Sequence, residues 1–197
     1  RHEKVVYEGY FTMKSLSYQH AAYAGGVARK EFHEVLVRPP AVVVLPYDAD
    51  ADTVVLVEQV RTGVVAVADR NPWLCEVVAG LLEARDTPIL GAERELVEET
   101  NLRARAWEKI ARYWVSPGGT TEEVIAYCAL VDSSQAGKIC GLASEGEDIR
   151  VCVFTVSDIL AKLANAEINN SATLICLQWL QANRSRLQKM WSTKDAR

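Results

Sequence analysis

The alternation of hydrophobic and polar positions predicts β-strands at the start of the chain. Residues 5–23 and 31–38 alternate in this way and are rich in aromatic and β-branched side chains, with a glycine turn between them. Pro39 and Pro40 then interrupt the pattern, as residues between domains often do. We therefore expect a small antiparallel β arm over residues 1–40 and a main domain over residues 41–197.

The hydrophobic pattern of the main domain predicts strands first and helices later. Helical periodicity is expected after Thr87-Pro88 and twice near the end of the chain, and strands do not alternate regularly with helices. This order is typical of an α+β fold with a mixed sheet rather than a doubly wound parallel sheet. We expect Trp73 and Trp179 to lie in the core. The predicted strands are AVVVLPYD, DTVVLVEQVR, RARAWEKIARYWVS, EEVIAYCALV and DIRVCVFTV, and the terminal helices are SDILAKLANA and SATLICLQWLQANRSRLQKMW.

Composition and charge exclude several classes of partner. The formal net charge is -4, and nucleic acids or anionic membranes are usually bound through basic patches, so we expect neither partner. The apolar runs are too short to span a bilayer, and no signal peptide is visible. The five cysteines never form a CxxC pair and are expected to be reduced. These features predict a cytoplasmic globular protein.

The segment AGLLEARDTPILGAERELVEETNL, residues 79–102, places three glutamates on one part of a predicted helix. Thr87 is a suitable N-cap, and Asn101 suits a left-handed residue after the last turn. The spacing of Glu95, Glu98 and Glu99 brings their carboxylates close together. Two interpretations are open: a solvated acidic face, or a site for a cation.

The position of the glutamates favours the cation site. They lie near the C-terminal end of the helix, where the helix dipole disfavours negative charge. The sequence Ala79-Gly80 predicts the end of a strand and an available backbone carbonyl beside the helix. Carboxylates and a carbonyl oxygen are ligands suited to Mg²⁺ or Mn²⁺.

The same segment resembles the Nudix box. The pattern is Gly, five residues, Glu, seven residues, and then Arg-Glu-aliphatic-x-Glu-Glu-x-Gly-aliphatic. Asp86 replaces the first Glu of the pattern, and Asn101 replaces its second Gly. The matching residues are Gly80, Arg94, Glu95, Leu96, Glu98, Glu99 and Leu102.

The segments around the box resemble the ADP-ribose pyrophosphatase branch of that family. They are VVLVEQVR, PWLCEVVAG, SPGGTTE, GLASEGEDIRV and LQWLQ, so the resemblance covers almost the whole chain. It implies an α/β/α Nudix sandwich, in which the N-terminal arm contributes to a homodimer and to the adenine side of the site. It also implies Mg²⁺ or Mn²⁺ as the cofactor, and hydrolysis of ADP-ribose to AMP and ribose 5-phosphate.

The resemblance implies roles for individual residues. The Ala79 carbonyl, Glu95 and Glu99 would bind metal, Glu98 and Glu99 would support catalysis, and Glu145 would be the general base. An ordinary acidic turn is the alternative for Glu145, and strand packing is the alternative for Tyr10. His33 stands where relatives tend to have an arginine. The implied substrate-binding residues are Arg61, Glu122, Tyr10, His33, Gly118 and Gly119.

Two other functions fit the same motif. A Nudix enzyme for another nucleoside diphosphate sugar, such as GDP-mannose, would carry an identical box. A sensor with this fold would bind ADP-ribose without cleaving it, although such proteins usually lose box glutamates that this chain retains.

Overall fold

The computed structural model describes residues 1–67 and 70–192, and for Glu145 it describes only the backbone. The chain forms two compact units. The first contains Arg1–Ala41 and Tyr113–Val124, and the second contains Val42–Arg112 and Ile125–Arg197.

The first unit is built on a three-stranded antiparallel sheet. Its strands are β1 (His2–Glu8), β2 (Thr12–Tyr18) and β3 (Glu31–Val37), in the order β1-β2-β3. This confirms the predicted antiparallel strands at the start of the chain. The segment containing the 116–119 turn joins the unit through backbone hydrogen bonds between Leu36 N and Gly119 O, 2.9 Å, and between Thr121 N and Leu36 O, 3.0 Å.

The remaining elements include a mixed sheet and four helices, which confirms the predicted α+β class. The strand order is β10-β11-β5-β4-β9-β8, with β6 paired to β5 and β7 paired to β4. The strands are β4 (Ala41–Asp48), β5 (Thr53–Val60), β6 (Trp73–Glu76), β7 (Val78–Leu81), β8 (Ala106–Trp114), β9 (Glu123–Leu130), β10 (Ile139–Cys140) and β11 (Ile149–Thr155). The helices are α1 (Thr62–Val65), α2 (Pro88–Thr100), α3 (Val156–Ala164) and α4 (Ser171–Trp191), and short 3-10 helices cover Ser133–Gln135 and Ala143–Glu145.

Helices cover both faces of the central strands in the second unit. On one face, alternate valines of β4 and β5 pack with Ala92 and Leu96 of α2. On the other face, Tyr47 donates a hydrogen bond to Asp52, and Arg184 of α4 binds the same carboxylate. The valines on the α2 face are Val42, Val44, Val55 and Val57. Tyr47 of β4 and Arg184 of α4 thus share one carboxylate on the side of β4 away from α2.

Three local features differ from the sequence-based expectation. Trp73 is 43% exposed, so the prediction that it lies in the core was wrong. The strand expected to end at Ala79-Gly80 continues to Leu81, because β7 pairs with β4 along this segment. Strand β10 was not predicted, since a two-residue strand has no measurable period. Within the described ranges, no helix is both long and apolar enough to cross a bilayer.

Candidate metal and active site

The glutamate-bearing helix α2 begins and ends as its sequence predicts. The Thr87 side chain accepts a hydrogen bond from Leu90 N at 3.4 Å, and Pro88 occupies the first turn. Asn101 follows the helix with φ of 60°, in the left-handed region, and its N–H donates to Val97 O at 2.8 Å. The helix therefore has the limits that Thr87 and Asn101 predict.

Arg94 holds two of the three glutamates. Its Nη1 donates to Glu95 at 2.7 Å and to Glu98 at 3.1 Å. Its Nη2 donates to the Leu81 carbonyl at 3.1 Å and to Asp86 at 3.4 Å. One guanidinium therefore ties the helix to the end of β7 and to the loop that precedes the helix.

Asp86 performs a definite structural task despite its short side chain. Its carboxylate accepts hydrogen bonds from Glu83 N at 3.2 Å and from Arg94. The first bond closes the turn before α2, and the second connects that turn to the glutamates. Asp86 therefore connects the turn before α2 to Arg94, at the position where the Nudix pattern has a glutamate.

Glu99 is the most deeply buried of the three glutamates, with 1% of its surface exposed. One carboxylate oxygen accepts a hydrogen bond from Ala79 N at 3.2 Å, and the other accepts one from Gln59 Nε2 at 3.4 Å. The Glu99 side chain is thus held against both β7 and β5.

Gly80 gives the Glu95 carboxylate its place against β7. A Cβ atom built at Gly80 would overlap the Glu95 carboxyl group, and only glycine leaves that space open. The backbone of residues 79–80 is therefore adjacent to the carboxylates of Glu95 and Glu99.

Burial makes these carboxylates difficult to ionise in the absence of a cation. Burial raises the pKa of Glu99 to about 8, although the Ala79 N–H opposes the rise. Burial also raises the pKa of Glu95 to about 7, against the lowering effect of Arg94. Nearby carboxylates add to both shifts, with Glu147 contributing in each case. Burial, more than the repulsion between the acids, therefore opposes their ionisation.

The residues present fit a hard divalent cation. Carboxylate oxygens are the ligands that Mg²⁺ and Mn²⁺ prefer, and Gly80 keeps the Glu95 carboxylate on the backbone of β7. In the part of the chain that the structure describes, no three acidic, imidazole or thiol groups yet converge as ligands of one ion. Arg94 forms ion pairs with Glu95 and Glu98 at 2.7 Å and 3.1 Å.

Arg61, predicted to bind substrate, directly follows the last residue of β5 and precedes α1. Its guanidinium forms an ion pair with Glu76 of β6 and lowers the pKa of Glu99 through space. The Glu76 carboxylate therefore orients the Arg61 guanidinium near Glu99.

The segment between β10 and β11 contacts the C-terminal end of α2. Gly141 N donates to Glu98 O at 3.1 Å, and Glu147 accepts a hydrogen bond from Leu142 N at 2.9 Å. Gly146 has φ of 72°, a conformation that favours glycine. The Glu145 side chain, predicted to be the general base, lies outside the described atoms.

The other predicted substrate-binding residues lie in the first unit. Tyr10 is 88% exposed, and Glu122 accepts a hydrogen bond from Arg38 at 3.1 Å. His33 bonds Glu31 at 2.9 Å and stacks on Tyr18, with ring centroids 5.7 Å apart.

The 116–119 turn leaves open space at its two glycines. A Cβ atom added at Gly118 or Gly119 would meet no atom within 4 Å. Packing within the protein therefore does not explain these glycines, and the space beside them is available to a ligand.

Two residues of this site were missed by the sequence analysis. Gln59 and Glu76 lie in strands otherwise rich in apolar residues, and both contact a predicted functional side chain. The sequence feature that could have identified them is a polar residue in a buried strand, since a buried polar group needs a hydrogen-bond partner. The identity of that partner required the three-dimensional structure.

The chain is similar to known proteins over most of its length. The NUDIX domain family matches residues 37–174. An ADP-ribose pyrophosphatase of Haemophilus influenzae is 38% identical over 191 residues, covering 96% of this chain and 88% of that protein. A GDP-mannose pyrophosphatase of Cronobacter sakazakii is 33% identical over 180 residues, covering 91% of this chain and 92% of that protein.

A solved structure described as a crystal structure of ADP compounds hydrolase has a similar fold. Its TM-score is 0.67 at 18% sequence identity, over 92% of this chain and 93% of that one. Because the family match spans the glutamate helix and most of the sheet that supports it, the chain belongs to the Nudix hydrolase family.

Proposed function

We propose that this protein hydrolyses the pyrophosphate bond of ADP-ribose to AMP and ribose 5-phosphate. The observation that carries the proposal is the pair of buried carboxylates, Glu95 and Glu99, packed against the backbone of residues 79–80. The similarity to an ADP-ribose pyrophosphatase over 96% of the chain supports the choice of substrate.

The proposed cofactor is Mg²⁺ or Mn²⁺, held by Glu95, Glu99 and the Ala79 carbonyl. When bound, the cation supplies Lewis-acid chemistry to the pyrophosphate. Glu98 supports the ligands through Arg94, which it shares with Glu95. The Ala79 N–H and Gln59 orient the Glu99 carboxylate, and burial excludes water from it.

The proposed general base is Glu145. Its carboxylate takes a proton from the attacking water, the water oxygen bonds to phosphorus, and the bridging phosphoanhydride bond breaks. Gly146, in the left-handed region beside it, gives the loop a conformation that other residues adopt with difficulty. Glu98 and Glu99 complete the proposed catalytic set.

The proposed substrate contacts are of three kinds. Arg61, oriented by Glu76, binds the phosphates, and Glu122 accepts hydrogen bonds from ribose hydroxyls. Tyr10 stacks on adenine, for which its exposed ring is available. His33, Gly118 and Gly119 are the remaining proposed substrate-binding residues, and a Cβ atom added at either glycine would meet no atom within 4 Å.

A panel of nucleotide sugars tests the proposed reaction. The purified protein is incubated with Mg²⁺ and, separately, with ADP-ribose, ADP-glucose, GDP-mannose and UDP-glucose, and the products are separated by chromatography. We expect AMP and ribose 5-phosphate from ADP-ribose, at a higher rate than any product from the other sugars. Absence of AMP with both Mg²⁺ and Mn²⁺ would contradict the proposal.

GDP-mannose is the second candidate substrate. The similarity to a GDP-mannose pyrophosphatase over 91% of the chain favours it over other nucleotide sugars. The same panel separates the two candidates, because GDP-mannose yields GMP and mannose 1-phosphate.

We also propose that the protein is a cytoplasmic homodimer in which residues 1–40 form an arm and residues 41–197 form the hydrolase domain. The sheet of the first unit exposes Val5, Val6, Tyr7 and Phe32. Exposed apolar side chains grouped on one small sheet are typical of a protein interface. The cytoplasmic location is carried over from the expectation based on composition and charge.

A further inference from the structure

Gln59 is a buried amide in a row of valines. It lies on β5, where alternate residues Val55 and Val57 pack under α2, and it continues the same face. Only 8% of its surface is exposed. A buried amide without a hydrogen bond destabilises a protein, so an apolar residue would suit this position better unless the amide makes a specific contact.

The hydrogen bond of Gln59 identifies that contact. Its Nε2 donates to one oxygen of Glu99 at 3.4 Å, while Ala79 N donates to the other oxygen at 3.2 Å. Each oxygen of this carboxylate is therefore held from a different strand. The two contacts together fix the plane of a side chain that is almost fully buried.

The hydrogen-bond donors to Glu99 are neutral, whereas the donor to Glu95 and Glu98 is charged. Glu95 and Glu98 bond a guanidinium, at 2.7 Å and 3.1 Å from Arg94. The donors that bond Glu99 are an amide side chain and a backbone N–H, both neutral. A guanidinium in the place of Gln59 would repel a divalent cation, whereas an amide orients the carboxylate and leaves its charge available.

We propose that Gln59 is a positioning residue that holds Glu99 in the orientation in which it binds a divalent cation. This inference rests on the proposed function, because it assumes that Glu99 is a metal ligand. Hydrogen-bond partners of metal ligands generally orient the ligand and increase its affinity for the metal.

Direct binding of Mn²⁺ tests the inference without measuring activity. Mn²⁺ is titrated into the metal-free protein by calorimetry and, independently, by electron paramagnetic resonance, for the wild type and Gln59→Leu. Loss of such a partner typically weakens metal binding 10–100-fold, and we expect a loss of about tenfold for Gln59→Leu. We expect the metal-free Gln59→Leu protein to keep the wild-type fold by circular dichroism, since leucine suits the apolar row, although one oxygen of Glu99 loses its donor.

Val57→Ala is the matched control. Val57 is fully buried one step earlier on the same face of β5 and makes no hydrogen bond to Glu99 through its side chain. The cavity left by the smaller residue lowers the melting temperature. We expect this variant to bind Mn²⁺ within about twofold of the wild type, which separates loosening of the core from loss of the Glu99 contact.

The Glu99→Gln background distinguishes two kinds of failure. If Gln59 acts through Glu99, Gln59→Leu has no further effect on Mn²⁺ binding when Glu99 is already replaced. Wild-type affinity in Gln59→Leu, or an equal loss in Val57→Ala, overturns the role of Gln59 alone. Wild-type affinity in Glu99→Gln overturns the proposed metal site itself.

Discussion

At the residue scale, the defining feature of the protein is a pair of acids placed where ionisation is unfavourable. Glu99 and Glu95 are buried, and the pKa of each is raised, to about 8 and about 7. Their spacing predicted that they lie close together, and the structure places both beside residues 79–80. Their burial could not be predicted from the sequence of the helix alone, because it depends on Gly80 of β7 and Gln59 of β5.

The raised pKa values predict how stability depends on pH in the metal-free protein. An ordinary glutamate has a pKa of 4.5, and that of Glu99 in the folded state is about 8. Between these values the folded state binds more protons than the unfolded state, so the free energy of unfolding falls as pH rises from about 5 to about 8. Urea unfolding at several pH values in EDTA measures this slope.

The Glu99→Gln variant isolates the contribution of Glu99 to that slope. We expect the metal-free variant to be more stable than the wild type at pH 8 by about 1–2 kcal/mol, because the amide has no charge to bury. Glu93→Gln, at an exposed position of the same helix, is the control and should keep the wild-type slope. An unchanged slope in Glu99→Gln would show that another group causes the pH dependence.

The same variant is expected to lose activity. Removal of a carboxylate ligand should lower turnover under Mg²⁺ on the order of a hundredfold or more, with the fold retained. Steady-state rates of AMP release and far-ultraviolet circular dichroism measure the two quantities. Turnover near that of the wild type would remove Glu99 from the catalytic set.

At the element scale, helix α2 shows how far local sequence determines structure. Thr87, Pro88 and Asn101 predicted both ends of the helix, because capping depends on a few neighbouring residues. Strands β6, β7 and β10 were harder to predict, since each has four residues or fewer and is fixed by pairing with distant segments. Trp73 was misplaced for the same reason: its exposure is set by its neighbours in the sheet and not by its size.

The caps of α2 lead to a prediction about stability. Thr87→Ala removes the hydrogen bond to Leu90 N and should lower the free energy of unfolding by about 1 kcal/mol. Asn101→Ala should lower it by about 1 kcal/mol, because alanine tolerates a positive φ less well than asparagine. Urea unfolding in EDTA measures both changes.

Asn101→Gly is the control for the second cap. Glycine adopts the left-handed region without steric strain, so this variant should be close to the wild type in stability. Equal losses in the glycine and alanine variants would show that the Asn101 side chain, and not its backbone conformation, is what matters.

At the scale of the whole molecule, the α+β class was predicted correctly because strands and helices follow one another in a recognisable order. The pairing of the strands and the return of Tyr113–Val124 to the N-terminal unit could not be predicted, since they join segments far apart in sequence. The proposed substrate contacts are divided between the two units, so their roles remain predictions.

The exposed side chains of the N-terminal sheet lead to a prediction about assembly. We expect light scattering after size-exclusion chromatography to give twice the 21.8 kDa mass of one chain. The physical reason is that burial of the exposed apolar residues of β1 and β3 stabilises a dimer. A mass equal to one chain at micromolar concentration would contradict the proposed homodimer.

The most direct test of the metal site is a crystal structure with Mn²⁺ and a non-hydrolysable ADP-ribose analogue, using the anomalous signal of manganese. We predict anomalous peaks within bonding distance of the Glu95 and Glu99 carboxylates and of the analogue's phosphate oxygens. Peaks at other side chains, or an analogue bound with both carboxylates free of manganese, would contradict the account.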